Sequence, residues 1–446
     1  MRRPKGADAY ASQLLPRLES EYPGIVSEYT AAVTEGRDGG DHDRAAVESG
    51  SPAARLSLRR ASMVPSLFDY QEDLVSQFSD LCTSKGKSNV GLLTLPTGGG
   101  KTRTAIVALL RLITHQRVKR ALWLAPTKEL LSQAVETATA SWHAYGEACD
   151  IELVRADLAG GFSEEMSAGI CFATPQMLAS RIKKREVPPA DVVVFDEAHH
   201  VEAPVFRAAL SQMKDVSGST IIGLSATPGR SDEEETNRLV SFFDGNLLWS
   251  RLLKPNAVQV LQRRGILARL TFRDIPAPRS SQLPKASISG RALALDLERF
   301  RSTVRLVKRA SKKDRVLVFS ASIRHAQALE TVLQREGVSA RTVSAYSTDD
   351  HRRETLSLFS QGAVSVVLNQ SLLATGYDCP AVRHVVLTTR IGSPILFEQI
   401  VGRASRGPLV GGNARSDVWQ FEDHLKIHGL PTSYYRYEDF DWAGLR

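Results

Sequence analysis

Hydrophobic positions along this chain fall into two alternating series with an irregular stretch between them. From Leu67, short apolar runs at 91–95, 120–125, 151–155, 170–173, 192–195 and 220–224 alternate with stretches of helical period. Runs of this length, ended by Gly, Pro or Asp and separated by helices, predict strands of a parallel sheet. A second series starts at Arg291, with a helix to about Ala310, strands at 315–319, 340–344, 365–368 and 384–388, and a closing strand at 418–421. Ahead of both, Tyr10, Leu14, Leu15, Leu18 and Tyr22 form one amphipathic stripe, Pro23-Gly24 breaks it, and Ile25, Val26, Tyr29, Ala32 and Val33 form another. The expected fold class is α/β: two tandem parallel-sheet domains with a short helical N-terminal extension. The expected boundaries are 1–62 for the extension and its polar linker, 63–250 for the first domain, 251–290 for a basic, Pro/Ser-rich linker, and 291–446 for the second domain.

Bulk properties narrow this little. The length of 446 residues suits two or three cores rather than one. No apolar run approaches transmembrane length, and the basic start Met1-Arg2-Arg3-Pro4-Lys5 is not followed by the apolar stretch of a signal peptide. Cys82, Cys149, Cys171 and Cys379 are scattered without metal-site or disulfide spacing, which fits a reducing, cytoplasmic location. A formal net charge of +8 suits a polyanionic partner. The aromatics Tyr434, Tyr435, Tyr437, Phe440 and Trp442 near the C-terminus are expected to pack back on their own domain, with stacking on bases as the other use of such a cluster.

Chemistry concentrates at the ends of the predicted strands, where parallel sheets bind ligands. Leu95-Pro96-Thr97-Gly98-Gly99-Gly100-Lys101-Thr102 lies between an apolar run and a helical one. Consecutive glycines let backbone N–H groups converge on a phosphate at a helix start, Lys101 would reach the β- and γ-phosphates, and the Thr102 hydroxyl would bind Mg²⁺. The generic phosphate-loop pattern wants Gly where Leu95 stands, so the loop read alone is also consistent with a simple turn. The run 192–195 leads straight into Asp196-Glu197-Ala198-His199. Two carboxylates ending a buried strand are costly without a cation. Asp196 would hold Mg²⁺, Glu197 would orient and deprotonate an attacking water, and His199 would sense the γ-phosphate. Ser225-Ala226-Thr227, after the run 220–224, could couple phosphate state to movement or simply cap a turn.

These motifs, in this order, resemble those of superfamily 2 helicases and translocases from about Leu67 to Gly407. The resemblance implies that both domains are RecA-like. Phe68-Asp69-Tyr70-Gln71 looks like the adenine-reading motif, with Gln71 bonding the base edge; related proteins often have Arg where Phe68 stands. The phosphate loop matches the family form Pro-Thr-Gly-x-Gly-Lys-Thr, which accounts for the missing first Gly. Ala125-Pro126-Thr127-Lys128-Glu129-Leu130 and Ala173-Thr174-Pro175-Gln176 resemble the two loops that touch nucleic acid, which makes Pro126, Thr127, Thr174 and Pro175 the contact candidates. Val318-Phe319-Ser320 and the stretch Asn369 to Pro380 resemble motifs IV and V, with Gly376 and Asp378 on the nucleotide side. The Asn-x-x-x-Leu-x-Thr-Gly-aromatic-Asp form is similar to that of RadD-like and restriction-enzyme-type DNA helicases.

Gln399-Ile400-Val401-Gly402-Arg403-Ala404-Ser405-Arg406 closely resembles motif VI. Gln399, Arg403 and Arg406 would then serve catalysis, and their spacing predicts that one helix face presents both arginines as fingers. The resemblance implies an ATP- and Mg²⁺-dependent motor on DNA, working in repair or anti-phage defence with a partner such as a nuclease, and without a membrane. An RNA helicase, or an ATP-switched DNA clamp that does not unwind processively, are the rival readings.

Overall fold

In the computed structural model, residues 8–38, 55–58, 66–84, 89–145, 151–158, 166–186, 188–229, 233–276, 295–374, 379–389, 391, 393–421 and 442 are described. The chain divides into two compact units, one of residues 48–264 with 432–446 and the other of residues 1–47 with 265–431. They are called the first and second units below.

The first unit is built on an eight-stranded sheet of β1 (Arg55–Leu58), β2 (Val90–Thr94), β3 (Arg120–Leu124), β4 (Ile151–Arg155), β5 (Gly169–Ala173), β6 (Val192–Asp196), β7 (Thr220–Ser225) and β8 (Leu247–Leu248). Their spatial order is β1-β4-β5-β3-β6-β7-β2-β8, with β1 antiparallel on β4 and the other pairings parallel. The central strands β2, β5, β6 and β7 are buried along their whole length, which is why they read as continuous apolar runs. All six expected strands of this unit are present. β1 and β8 were not expected: β1 lies within the segment read as extension and linker, and both are short edge strands with too few residues to set up a pattern.

The second unit carries an all-parallel six-stranded sheet of β9 (Arg269–Ile275), β10 (Arg315–Phe319), β11 (Ala340–Val343), β12 (Val366–Asn369), β13 (Val382–Leu387) and β14 (Arg415–Phe421), in the order β11-β12-β10-β13-β14-β9. β9 corrects the expectation of a linker over 251–290. The same stretch also holds the helix Ala257–Arg263 of the first unit. β9 is an exposed edge, so its charged residues break the apolar pattern. Arg273 pairs with Asp417 at 3.0 Å and lies 5.5 Å from the Trp419 ring centre, so its stem and charge both serve the neighbouring strand.

The N-terminal segment is a layer of the second unit. Its turns and helix (Tyr10–Leu14, Leu15–Leu18, Ile25–Asp38) bury Tyr10, Leu14, Leu15, Leu18, Ile25, Tyr29 and Val33 in one cluster with Phe300, Val304, Val307, Val332 and Leu333. The periphery is polar and paired. Asp8 accepts from the Tyr10 N–H at 3.0 Å and the Tyr29 hydroxyl at 2.9 Å, and Arg335 holds Glu28 at 2.5 Å. Burial, then Asp8, raises the Tyr29 pKa, so this hydroxyl stays a donor. At the other end of the chain, Trp442 belongs to the first unit and not, as expected, to the second. Tyr434, Tyr435, Tyr437 and Phe440 lie outside the described residues.

Candidate active site

The sheet order lines up the expected motifs along the carboxyl edge of the first unit. Reading β5, β3, β6, β7, β2, the strand ends lead to Thr174, Thr127, Asp196-Glu197, Ser225 and the phosphate loop. Pairing of Asp196 with Leu224 and of Thr94 with Ser225 sets the motifs of the last three strands side by side.

The phosphate loop is shaped by backbone that few side chains tolerate. Gly98 and Gly100 have φ of 91° and 88°, in the left-handed region. A Cβ on Gly100 would also lie 2.4 Å from Gln71 Nε2. Gly99 is held on both sides: its N–H donates to the Pro96 carbonyl at 2.8 Å, and its carbonyl accepts the Tyr70 hydroxyl at 3.0 Å. Gln71 is buried, with Oε1 accepting the Phe68 N–H at 3.1 Å and Nε2 3.5 Å from the Gly99 carbonyl. The residue expected to read adenine therefore also braces the loop that would cradle the phosphates. Lys101 opens the helix Lys101–Thr114, which brings Lys101 and Thr102 to its positive end.

Asp196 and Glu197 end β6 in a buried setting. Asp196 is only 3% exposed, and burial, then the Glu197 charge, holds its carboxyl well above the usual carboxylate range, with Lys101 pulling the other way. Glu197 has φ of 53°, uncommon for a residue with a side chain, and its N–H donates to Asp196 Oδ1 at 3.0 Å. Its carboxylate Oε2 lies 3.3 Å from His199 Nδ1. A buried carboxylate whose charge is disfavoured, beside a second buried carboxylate and under the pull of the Lys101 charge, fits a divalent cation at this end of the sheet. Thr102 and Asp196 are the residues that would hold it.

The remaining motifs of this unit are tied mainly by local hydrogen bonds, while the buried Thr227 hydroxyl has no hydrogen-bond partner among the described residues. Thr127 Oγ1 accepts the Leu130 N–H at 3.3 Å, and Thr174 Oγ1 accepts the Met177 N–H at 3.3 Å, so each threonine caps a helix. Pro126 precedes the first cap, and Pro175 is the first helical residue after the second. Ser225 Oγ donates to the Thr227 carbonyl at 2.6 Å and accepts the Thr227 N–H at 3.2 Å. Arg264, read from the sequence only as part of a basic linker, belongs beside the adenine-reading motif. It pairs with Asp69 beside Gln71 and holds that carboxyl below its ordinary range. The Asn256 cap of its helix, accepting the Gln259 N–H at 3.1 Å, was the available signal.

In the second unit, Gln399 is buried on the helix Pro394–Val401. That helix stops there, which corrects the expectation that one helix face presents Arg403 and Arg406. Arg403 lies in the 3-10 turn Gly402–Ala404, and Arg406 follows in extended backbone bridged to Leu267, its carbonyl accepting the Asn413 N–H at 2.9 Å. The Gly407 N–H bonds the Ile266 carbonyl at 2.9 Å and continues this extended pairing. Asn369 Nδ2 donates to the Val318 carbonyl at 3.1 Å, joining motifs IV and V. Gly376 and Asp378 lie outside the described residues.

Two parallel-sheet α/β units, the first with a phosphate loop and a paired carboxylate at its carboxyl edge, define the RecA-like pair of a superfamily 2 helicase. Residues 65–230 match the type III restriction enzyme res subunit family, and residues 298–407 match the helicase conserved C-terminal domain. The chain thus carries both domains of a superfamily 2 helicase core, with restriction-type similarity. It is 24% identical over 78% of its length to the Saccharomyces cerevisiae protein IRC3, whose name gives it as an ATP-dependent helicase, and spans 50% of that protein. It is 27% identical over 76% of its length to the type I restriction enzyme EcoKI endonuclease subunit of Escherichia coli and spans 33% of it. Its fold is similar to a fragment named as an HsdR subunit of a type I restriction enzyme from Vibrio vulnificus YJ016, with a TM-score of 0.60 at 21% identity, covering 82% of this chain and 66% of that one. No helix among the described residues is long and apolar enough to cross a membrane.

Proposed function

We propose that this chain is a nucleic-acid-dependent ATPase that translocates on or unwinds DNA, acting with a partner in DNA repair or in defence against foreign DNA. One observation carries the reading: the strand order that seats the phosphate loop next to Ser225, and Ser225 next to Asp196-Glu197, continues through β3 and β5 to Thr127 and Thr174. Fuel and track would be handled at one edge of one sheet, with the Ser225–Thr227 turn between them.

Gly98, Gly99 and Gly100 with Lys101 would bind the triphosphate, Thr97 would complete the loop, and Gln71 would read the base. Mg²⁺, held by Thr102 and Asp196, would neutralise charge on the transferring phosphate when bound. Glu197 would take the proton of the attacking water, and its contact with His199 would orient it. Gln399, Arg403 and Arg406 are assigned to the same phosphoryl transfer by their motif, as are Gly376 and Asp378 to nucleotide contact. Pro126, Thr127, Thr174 and Pro175 would meet the nucleic-acid backbone, so binding should weaken as salt rises.

The preference for DNA rests on the motif V form and on the similarity to restriction subunits. A reducing, cytoplasmic setting is part of the same reading and rests on the scattered spacing of Cys82, Cys149, Cys171 and Cys379 in the sequence. The test is ATP turnover with single-stranded DNA, duplex DNA, branched DNA and RNA side by side, followed by strand displacement. Stimulation by DNA above RNA supports the reading. Stimulation by RNA alone makes it an RNA helicase, and DNA stimulation without displacement or movement makes it a clamp.

A further inference from the structure

We infer that Trp442 is a positioning residue for the Ser225-Ala226-Thr227 turn, fixing its far end so that nucleic-acid binding is passed to the ATP site. This rests on the nucleic-acid-dependent ATPase reading above and adds a residue to it. Trp442 is fully buried, and its indole Nε1 donates to the Pro228 carbonyl at 2.9 Å. Pro228 is the residue directly after the turn. A proline has no N–H with which to tie its own end of a turn, and it restricts the residue before it to extended backbone. The carbonyl on the exit side is therefore secured by the indole.

The entry side is secured from the phosphate loop. Thr94 Oγ1 donates to the Ser225 carbonyl at 3.1 Å, and the Leu95 N–H approaches the same oxygen at 3.4 Å. Within the turn, the Ser225 hydroxyl and the Thr227 backbone exchange two hydrogen bonds. A short series of bonds thus runs from the strand that feeds the phosphate loop, through the turn, to Trp442. The anchoring residue comes from the far end of the chain: β14 of the second unit ends at Phe421, and residues 422–441 separate it from Trp442 in the first unit. A Trp recruited to this spot does more than fill a void, because its only polar atom meets the carbonyl at the exit of the turn.

Wild type, Trp442→Phe and Trp442→Ala are compared in the full chain for ATP turnover with and without single-stranded DNA, duplex DNA or RNA, for the KM of ATP, and for thermal midpoint. Phe keeps most of the ring and removes the donor. Positioning predicts that Trp442→Phe lowers the ratio of stimulated to basal turnover by about threefold or more, with the KM of ATP changed less than about twofold, and that Trp442→Ala lowers the ratio further. A purely structural Trp442 predicts a wild-type ratio in Trp442→Phe, which overturns the inference; if Trp442→Ala does not fold, Trp442→Phe alone decides. A wild-type chain that turns over ATP at one rate with and without every nucleic acid overturns the underlying reading, and the inference with it. Wild-type stimulation with an unaltered ratio in Trp442→Phe removes only the inference.

Discussion

Gly100 and Gln71 fit together so closely that one added methyl group would collide: a Cβ at Gly100 would lie 2.4 Å from Gln71 Nε2. The same Cβ would sit on a backbone with φ of 88°, strained for an L residue by about 1–2 kcal/mol. Gly100→Ala should therefore weaken ATP binding by about tenfold or more while the protein stays folded. Gln71→Ala removes the collision but not the strain, so Gln71→Ala/Gly100→Ala should recover part of the loss beyond the sum of the single effects. Nucleotide titration of the three variants measures this, and strict additivity would show that the two residues do not act as a unit.

Lys101 and Glu197 should fail in different ways. Lys101→Ala removes the cation that offsets the raised pKa of Asp196 and the charge that would meet the phosphates, so triphosphate binding and turnover should both fall. Glu197→Gln keeps the shape and the left-handed backbone but cannot accept a proton. Nucleotide binding should survive and turnover should drop by about 10²–10⁴-fold. Equilibrium binding and steady-state turnover separate the two; normal turnover in Glu197→Gln would remove it from the general-base role.

The strands that carry these residues were legible because they are buried on both faces and read as unbroken apolar runs, as in Val192-Val193-Val194-Phe195 ahead of Asp196. The phosphate loop and the paired carboxylates were legible because glycine and adjacent acids are unusual at strand ends. β9 was not, since an edge strand with Arg269, Arg273 and Asp274 lacks the apolar pattern that marks its neighbours. The fork of Arg403 and Arg406 was misread because spacing alone assumes that a helix continues, while Gly402 begins a tighter turn and the backbone at Arg406 is claimed by Leu267 and Asn413. Trp442 was assigned to the wrong unit, because an aromatic near a chain end says nothing about which core receives it.

Arg403 sits on a short turn, while the backbone of Arg406 is built into extended pairing. Arg403→Ala should leave ATP affinity and thermal midpoint near wild type and reduce turnover by about 10³–10⁵-fold, the range for a finger in phosphoryl transfer. Arg406→Ala should cost turnover and, because its surroundings are packed, lower the thermal midpoint as well. Arg403→Ala with lost affinity and a normal rate per bound ATP would contradict the finger role.

His325 provides a pH test of how the N-terminal segment is held. It is buried in the second unit, its ring stacks on Tyr10 at 5.8 Å and lies 5.9 Å from Phe300, and Nδ1 is 3.4 Å from both the Ala321 N–H and the Thr388 hydroxyl. Burial lowers its pKa from 6.5 to about 4. Protonating Nδ1 would turn the acceptor of the Ala321 N–H into a second donor facing it. Above about pH 6.5 the ring is neutral in both folded and unfolded chains and contributes no pH dependence. Between about 6.5 and 4 the unfolded chain binds a proton that the folded one does not, so stability falls as pH falls, by about 1.4 kcal/mol per unit from this group. Denaturant melts of wild type and His325→Gln at pH values from 7.5 to 4.5 should therefore diverge in slope, with the variant flatter, because Gln does not titrate and can still accept from Ala321. The loosening should reach the N-terminal segment through Tyr10, whose hydroxyl lies 3.2 Å from Ser322 Oγ, and the hydrogen-exchange protection factors over 10–33, referred to the intrinsic rate at each pH, should fall on acidification in wild type more than in the variant. Parallel slopes for the two proteins would mean that His325 takes up its proton in the folded state without cost.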